Sequence, residues 1–268
     1  KISQKPLHFD AKDGRVKVVD AATPRAYPTV CGDNFRRTIV MIDYDDEISY
    51  GVDFFRVVGG SDHLYTFSPN SNDRPETSDN IKGRFVKQID EPQDTWITGH
   101  ENYYWTSSYA GPTVQLGQDP NTNLNNIAAS LKYPRGYTWM FNVERADNPG
   151  ENEFWLDYAI DPFNKEPSRN ANVDVRLRVT MLNDFDADEI SLVSHKPQRV
   201  KKNERIGDLE KFLVRRKSDE RLDSLFTTVY EPYKGERYIA KIEAADVSRI
   251  GGAERGTNDV AKAVKVTR

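Results

Sequence analysis

Apolar and polar residues alternate with a period of two along most of this chain, as they do in a strand with one buried face. The clearest run is NVDVRLRVTML at 172–182. Its apolar side consists of Val173, Val175, Leu177, Val179 and Met181. Acidic, basic and hydroxyl side chains occupy the positions between them, so this segment predicts a half-buried strand.

A second pattern, RRTIVMIDYDDEISYGVDFFRVVGG at 36–60, predicts a β-hairpin. Two runs rich in β-branched and aromatic residues, 38–42 and 48–58, flank an acidic turn at 43–46. The pair Gly59-Gly60 follows the second run and predicts its end, because glycine adopts backbone angles that interrupt a strand ladder.

Further runs predict strands through the rest of the chain, and long polar loops separate them. These runs are 16–19, 83–88, 136–143, 153–159, 189–193, 212–216, 225–230, 238–242 and 261–267. A short helix is expected only near 125–131. Many short strands with frequent turns indicate an all-β fold, an antiparallel β-sandwich. The segment NDFDAD at 183–188 suggests a boundary between a large sandwich at 1–188 and a smaller C-terminal sheet at 189–268, either separate or continuous with the first.

Composition excludes several classes of protein. Hydrophobic residues make up 37% and charged residues 30% of the chain, and no apolar run approaches the ~20 residues that a membrane span needs. One cysteine, Cys31, allows neither an internal disulfide nor a thiolate zinc site. The net charge of −4 and the lack of a recognition motif argue against a nucleic-acid partner.

Two residues near the predicted hairpin are candidates for chemistry. His63 follows the glycine turn and is either a cleft-facing catalytic or metal-binding histidine, or a turn histidine satisfied by Asp62 or by the backbone. Asp53 alternates with its neighbours in a strand. It is either a functional residue, as a metal ligand or a group that orients a histidine, or an exposed residue paired with Arg56 or Arg37. A zinc site would need histidines to converge on Asp53. The oxygen atoms of the acidic turn at 43–46 are a second candidate site, for calcium.

The segment HENYYW at 100–105 is a candidate platform for a sugar ring. His100 would contact hydroxyl groups, and Tyr104 and Trp105 would stack against the apolar face of the ring. The alternative is that these aromatic side chains alternate into the core of the sandwich.

Four phrases resemble, in order, segments of the heparinase II/III-like family of polysaccharide lyases. They are RRTIVMID at 36–43, YGVDFFRVVGGSDHLYTF at 50–67, GYTWMFNV at 136–143 and LDSLFTTVYEPYKGERYI at 222–239. The resemblance implies the C-terminal β-sandwich region of such an enzyme, and the region's histidine would correspond to His63. The family's His-Asn-Thr phrase does not occur in this sequence.

That resemblance implies a parent enzyme with an N-terminal α/α toroid before this region. The reaction would be β-elimination on a uronate of an acidic polysaccharide, glycosaminoglycan-like or alginate-like. It requires a base at C5 and neutralisation of the adjacent carboxylate. A bacterial, periplasmic or extracellular protein is expected. This chain alone is expected to be inactive, and it needs no cofactor for its fold. The alternative hypothesis is a non-catalytic carbohydrate-binding or structural β-sandwich module.

Overall fold

A computed structural model describes residues 5–23, 35–69, 71–87, 140–147, 153–160, 174–182, 187–195, 209–245 and 263–268. Within these ranges all regular elements are strands, and each strand pairing is antiparallel. The predicted all-β, antiparallel sandwich is therefore confirmed. The described residues include no helix with the length and hydropathy needed to cross a membrane.

Two large sheets make up the fold. Sheet A has eight strands in the order β1 (Lys5–Asp10), β2 (Val16–Ala22), β3 (Phe35–Asp43), β4 (Ser49–Val58), β13 (Asp223–Lys234), β10 (Val175–Leu182), β9 (Phe154–Ala159) and β6 (Glu76–Thr77). Sheet B has five strands in the order β5 (Asp62–Phe67), β12 (Leu209–Lys217), β11 (Glu189–His195), β8 (Met140–Asp147) and β7 (Val86–Lys87). A separate two-stranded sheet pairs β14 (Lys241–Ala245) with β15 (Ala263–Thr267).

The main core lies between sheets A and B. Phe154 and Leu156 on β9 and Phe226 on β13 contribute to it from sheet A, and Tyr65 on β5 and Phe212 on β12 contribute from sheet B. All five side chains are essentially inaccessible to solvent. Burying aromatic side chains of this size is worth roughly 2–3 kcal/mol each, so this interior is the principal source of stability.

Sheet A is also covered on its outer face, opposite sheet B. Val52 on β4 and Val229 on β13 pack there with Ile242 of β14 and Val264 of β15. Strand β4 therefore has apolar neighbours on both faces, since Phe55, on the other side of the strand, belongs to the main core. This double burial explains why β4 has few polar residues.

The hairpin of β3 and β4 is held by its acidic turn. Oδ1 of Asp45 accepts hydrogen bonds from the backbone N–H groups of Glu47 at 3.0 Å and Ile48 at 2.8 Å. At the far end of β4, Gly59 and Gly60 have φ angles of 106° and 82°. The glycine turn predicted from the sequence therefore uses backbone angles that other residues rarely adopt.

The strands differ in extent from those predicted. Strand β13 continues to Lys234, four residues beyond the predicted end, and strands β1 and β5 were not predicted. Strands on both sides of residue 188 share the large sheets: β13 lies between β4 and β10, and β12 lies between β5 and β11. The division into two domains stays a prediction, and the helix expected at 125–131 lies outside the described residues.

Candidate functional site

A charged cluster lies on the face of sheet A that packs against sheet B, next to β5, the edge strand of sheet B. Its centre is Asp53, which lies on β4 opposite Ile39 of β3 and Thr228 of β13. The side chain is fully buried and faces the main core with Phe55. One interpretation of the sequence made Asp53 an exposed residue paired with an arginine. The exposure is wrong, because the side chain is fully buried, but the arginine partner is present and is Arg37.

Arg37 reaches Asp53 from β3. Its Nε donates to Oδ1 at 2.9 Å and to Oδ2 at 3.1 Å, and its Nη2 also bonds Oδ2. The hydrogen bond to Asp53 raises the pKa of Arg37 and outweighs the effect of burial. The guanidinium carbon lies 5.7 Å from the ring centre of Phe55 and 5.8 Å from that of Tyr65, within range of cation–π attraction.

Two tyrosines complete what we call the Asp53 cluster: Asp53, Arg37, Tyr65 and Tyr230. The hydroxyl of Tyr230 donates to Oδ2 of Asp53 at 2.9 Å, and the hydroxyls of Tyr65 and Tyr230 are 2.5 Å apart. Because Tyr230 has a single hydroxyl proton and gives it to Asp53, Tyr65 is the donor to Tyr230. A chain of hydrogen bonds thus runs from Tyr65 through Tyr230 to the carboxylate.

Both tyrosines are neutral donors at physiological pH. Burial, with the negative charge of Asp53 nearby, raises the pKa of Tyr65 to about 12. Burial and the adjoining Tyr65 raise the pKa of Tyr230 further above the usual value of 10.0. A proton-abstracting base at neutral pH needs a pKa near 7. In their present surroundings these hydroxyls are therefore suited to holding a carboxylate and not to deprotonating carbon.

One part of the cluster faces solvent. The side chain of Arg37 is 44% exposed, and within the described chain its Nη1 has no hydrogen-bond partner. Asp53 holds the rest of the guanidinium in a fixed plane. The result is a pre-oriented cation at the open side of the sandwich, which can accept a carboxylate or sulfate oxygen.

A metal role for Asp53 remains a prediction, and its surroundings do not favour one. Both carboxylate oxygens accept hydrogen bonds from the guanidinium, whose positive charge repels a cation at the same position. Among the described residues, no group of three or more His, Cys, Asp or Glu side chains could hold a metal ion.

His63 is not part of the Asp53 cluster. It lies on β5 with 4% of its surface exposed. Its Nε2 is 2.7 Å from the carbonyl oxygen of Gly59, and its Nδ1 is 2.8 Å from Oγ of Ser224. The carbonyl can only accept, so Nε2 carries the proton and Nδ1 accepts from Ser224. Both nitrogens are thus engaged by neighbours. The backbone carbonyl is a partner that the structural interpretation of His63 named, and Ser224 takes the place of Asp62, the side chain that it named. A catalytic or metal-binding role for His63 stays a prediction.

The remaining predicted site residues, His100, Tyr104 and Trp105, lie outside the described residues. Sequence reasoning did not single out Tyr65 or Tyr230 and considered Arg37 only as a pairing partner. One signal was present. Asp53 interrupts an otherwise apolar run, and a carboxylate in such a strand needs a buried cation or hydroxyl donors.

No protein-family model matches this chain, and no curated protein matches it in sequence. Among solved structures, the chain has a likeness to a mutant of the heparan sulfate lyase HepC from Pedobacter heparinus, with a TM-score of 0.33 and 9% sequence identity. The match covers 91% of this chain and 24% of that one. A TM-score this low carries no argument about function.

Proposed function

We propose that this chain is the β-sandwich region of a polysaccharide lyase that acts on uronate-containing acidic polysaccharide. The observation that carries the proposal is the geometry of Arg37, a guanidinium fixed by buried Asp53 and half open to solvent. β-Elimination needs a cation or hydrogen-bond donor on the uronate carboxylate, because the C5 proton is otherwise too weakly acidic. In this proposal Nη1 of Arg37 supplies that contact.

The order of the four family-like phrases adds support. Three of them contain the residues of the Asp53 cluster: Arg37 lies in 36–43, Asp53 and Tyr65 lie in 50–67, and Tyr230 lies in 222–239. The segments that suggest the family are thus the segments that build the candidate site.

This region would form one wall of the substrate cleft, and an α/α toroid of the same protein would form the other. The base would come from the toroid, because both tyrosines of the Asp53 cluster hold their protons at neutral pH. The substrate would be glycosaminoglycan-like or alginate-like, and the protein bacterial and periplasmic or extracellular. The isolated chain is then expected to bind substrate without turning it over.

The test combines turnover and binding. Ultraviolet absorbance of the unsaturated uronate product is measured for the longest natural form of the protein on a panel of acidic polysaccharides. In parallel, the same polysaccharides are immobilised, and the retention of this chain on them is measured. We expect product from the longer form, and retention that Arg37→Lys weakens about tenfold, because lysine cannot reproduce a fixed guanidinium fork.

Arg36→Lys is the matched control. Arg36 is the next residue on β3, is 47% exposed and is paired with buried Asp20 on the opposite face of the sheet. It should leave retention unchanged. Absence of both product and retention would overturn the proposal. Retention without product would favour the alternative, a non-catalytic carbohydrate-binding module. Equal losses from both substitutions would show that the effect is not specific to Arg37, and full retention by Arg37→Lys would show that Arg37 acts only through its charge; either result would overturn the role proposed for its fixed guanidinium.

A further inference from the structure

A second charged cluster lies on the outer face of sheet A, opposite the Asp53 cluster. Its centre is Asp157 on β9, which is 1% exposed. Oδ1 accepts from Nε of Arg176 at 2.8 Å, and Oδ2 accepts from Nε of Arg178 at 2.8 Å and from the hydroxyl of Tyr233 at 2.7 Å. One buried carboxylate therefore holds two arginines side by side on β10.

Arg178 is fixed from two directions. Its guanidinium carbon lies 3.7 Å from the ring centre of Trp155, so the two planar groups are in close contact. Asp157 engages only Nε. The side chain of Arg178 is only 13% exposed. Within the described chain, however, neither its Nη1 nor its Nη2 has a hydrogen-bond partner. Its end-on pair of N–H donors is thus held rigidly and has no partner among the residues that the structure describes.

The neighbouring carboxylate that could neutralise Arg178 is engaged elsewhere. Glu231 is its cross-strand neighbour on β13. Both oxygens of Glu231 accept hydrogen bonds from other groups: Oε2 from Arg237, and Oε1 from the backbone N–H groups of Tyr238 and Ile239. Glu76 bonds Arg176 instead, at 2.9 Å, and is 70% exposed, so solvent screens its charge.

We propose that Arg178, with Arg176 beside it, binds an oxyanion on this face of sheet A. The ligand is a carboxylate or sulfate group, held end-on by Nη1 and Nη2 of Arg178. Two parallel N–H donors match the spacing of two oxygens in such a group, and the stack on Trp155 sets their plane before binding. The proposal is independent of the proposed lyase function, because the Asp53 cluster faces the opposite side of the sheet.

Trp155 provides the readout, because its ring contacts the guanidinium that would take the anion. The chain is titrated with sodium sulfate and with sodium acetate, at an ionic strength matched by sodium chloride, and tryptophan emission is recorded. We expect a saturable change that chloride does not produce. Trp155→Phe should abolish it, which assigns the signal among the four tryptophans. Arg178→Lys should weaken binding about tenfold or more.

Arg215→Lys is the matched control. Arg215 lies on sheet B, and its Nε and Nη2 form a two-point pair with Asp62 at 2.8 and 2.6 Å. It should leave the titration unchanged. Thermal unfolding of each variant, with sulfate and with matched chloride, covers the case in which Arg178→Lys loosens the fold. Sulfate should raise the midpoint of the parent chain by more than that of Arg178→Lys, because its general stabilising effect acts on both proteins and binding at Arg178 acts on the parent alone.

A change in emission that survives Arg178→Lys would overturn the proposal, and so would the absence of any change specific to sulfate or acetate. Competition with dextran sulfate and with a polyuronate distinguishes the sources of the anion. Displacement by a polymer indicates a polymer-borne ligand, and displacement only by small anions indicates a free one. Arg37→Lys should leave the signal intact, so failure here is distinguishable from failure of the lyase proposal.

Discussion

Tyr230 and Asp53 are 177 residues apart in sequence and are joined by a hydrogen bond of 2.9 Å inside the sandwich. The bond exists because β13 pairs with β4 in a register that places Thr228 opposite Asp53. Tyr230, two residues further along β13, projects from the same face of the sheet. Its hydroxyl reaches the carboxylate while its ring stacks on Phe67, with the ring centres 5.1 Å apart.

Replacing Tyr230 with phenylalanine should destabilise the fold by roughly 1.5 to 3 kcal/mol, because it removes a donor to a buried carboxylate. Tyr65→Phe should cost less, about 1 kcal/mol, because its short bond of 2.5 Å is to another hydroxyl and its contact with Oδ2 of Asp53 is long, at 3.4 Å. The two effects should not add, because the hydroxyls form one chain of hydrogen bonds. Chemical denaturation of both single variants and the double variant measures this coupling.

Tyr44→Phe serves as the control, because Tyr44 lies in the exposed turn of the β3–β4 hairpin with half of its surface accessible. It should change stability by less than about 0.5 kcal/mol. Additive losses in the double variant would show that Tyr65 and Tyr230 act separately, contrary to the proposed direction of the hydrogen bonds.

The sequence predicted the strands well where one face is apolar and the other polar. The run at 172–182 corresponds to β10, Val175–Leu182. The sequence predicted the position of β4 equally well. It did not indicate on which face of the sheet Asp53 lies, because both faces of β4 are buried. Alternation identifies a buried face only when the opposite face is solvated.

The composition of the Asp53 cluster could not be predicted from the sequence. Its members come from β3, β4, β5 and β13, and they meet only through strand register and the packing of sheet B on sheet A. No local spacing encodes the separation of Tyr65 from Tyr230. The two interpretations of His63 could not be decided either, because its partner Ser224 lies 161 residues away.

Glu231 should be among the most sensitive positions outside the main core. It is 1% exposed and accepts hydrogen bonds from Arg237 and from the backbone N–H groups of Tyr238 and Ile239. Glu231→Ala leaves the two backbone N–H groups without their acceptor and removes the carboxylate partner of Arg237, so it should cost roughly 3 to 5 kcal/mol. Arg237→Ala should cost less, because that side chain is 30% exposed and the backbone bonds remain.

Hydrogen exchange locates this effect. Glu231→Ala should speed exchange of the Tyr238 and Ile239 amides well beyond the change that Arg237→Ala produces. Equal losses of stability in the two variants would mean that the ion pair, and not the backbone contact, holds this segment in place.

At Thr227, by contrast, a substitution is expected to leave the stability of the fold unchanged or to increase it. Thr227 is fully buried on β13, and in the described part of the chain its Oγ1 has no hydrogen-bond partner. Valine has almost the same shape and no polar atom, so Thr227→Val should be neutral or should stabilise the fold by up to about 1 kcal/mol. Thr38→Val is the matched control, because the hydroxyl of Thr38 donates to Asp20 at 3.1 Å. It should destabilise by about 1 kcal/mol, and a loss in both variants would contradict the assignment.

His63 should make stability depend on pH between about 7 and 5. Burial lowers the pKa of His63 below its ordinary value of 6.5, and the positive charge of Arg216 lowers it further. The hydrogen bond to the Gly59 carbonyl and the charges of Asp62 and Asp223 act in the opposite direction and are outweighed. The unfolded chain therefore binds a proton at this residue before the folded chain does. The stabilisation is fully present above pH 6.5 and is lost as the pH falls toward the folded pKa, by at most about 1.4 kcal/mol per pH unit.

Urea denaturation at a series of pH values compares the parent chain with His63→Gln, which cannot titrate. The parent should lose more stability than the variant between pH 7 and 5, because only the parent carries this histidine. Losses below about pH 4 have a different source. Arg215 lowers the pKa of Asp62, and hydrogen bonds from Arg36 and Thr38 lower that of Asp20 despite its burial. Parallel curves for the two proteins between pH 7 and 5 would show that His63 takes up its proton without cost, in conflict with a neutral imidazole held between Gly59 and Ser224.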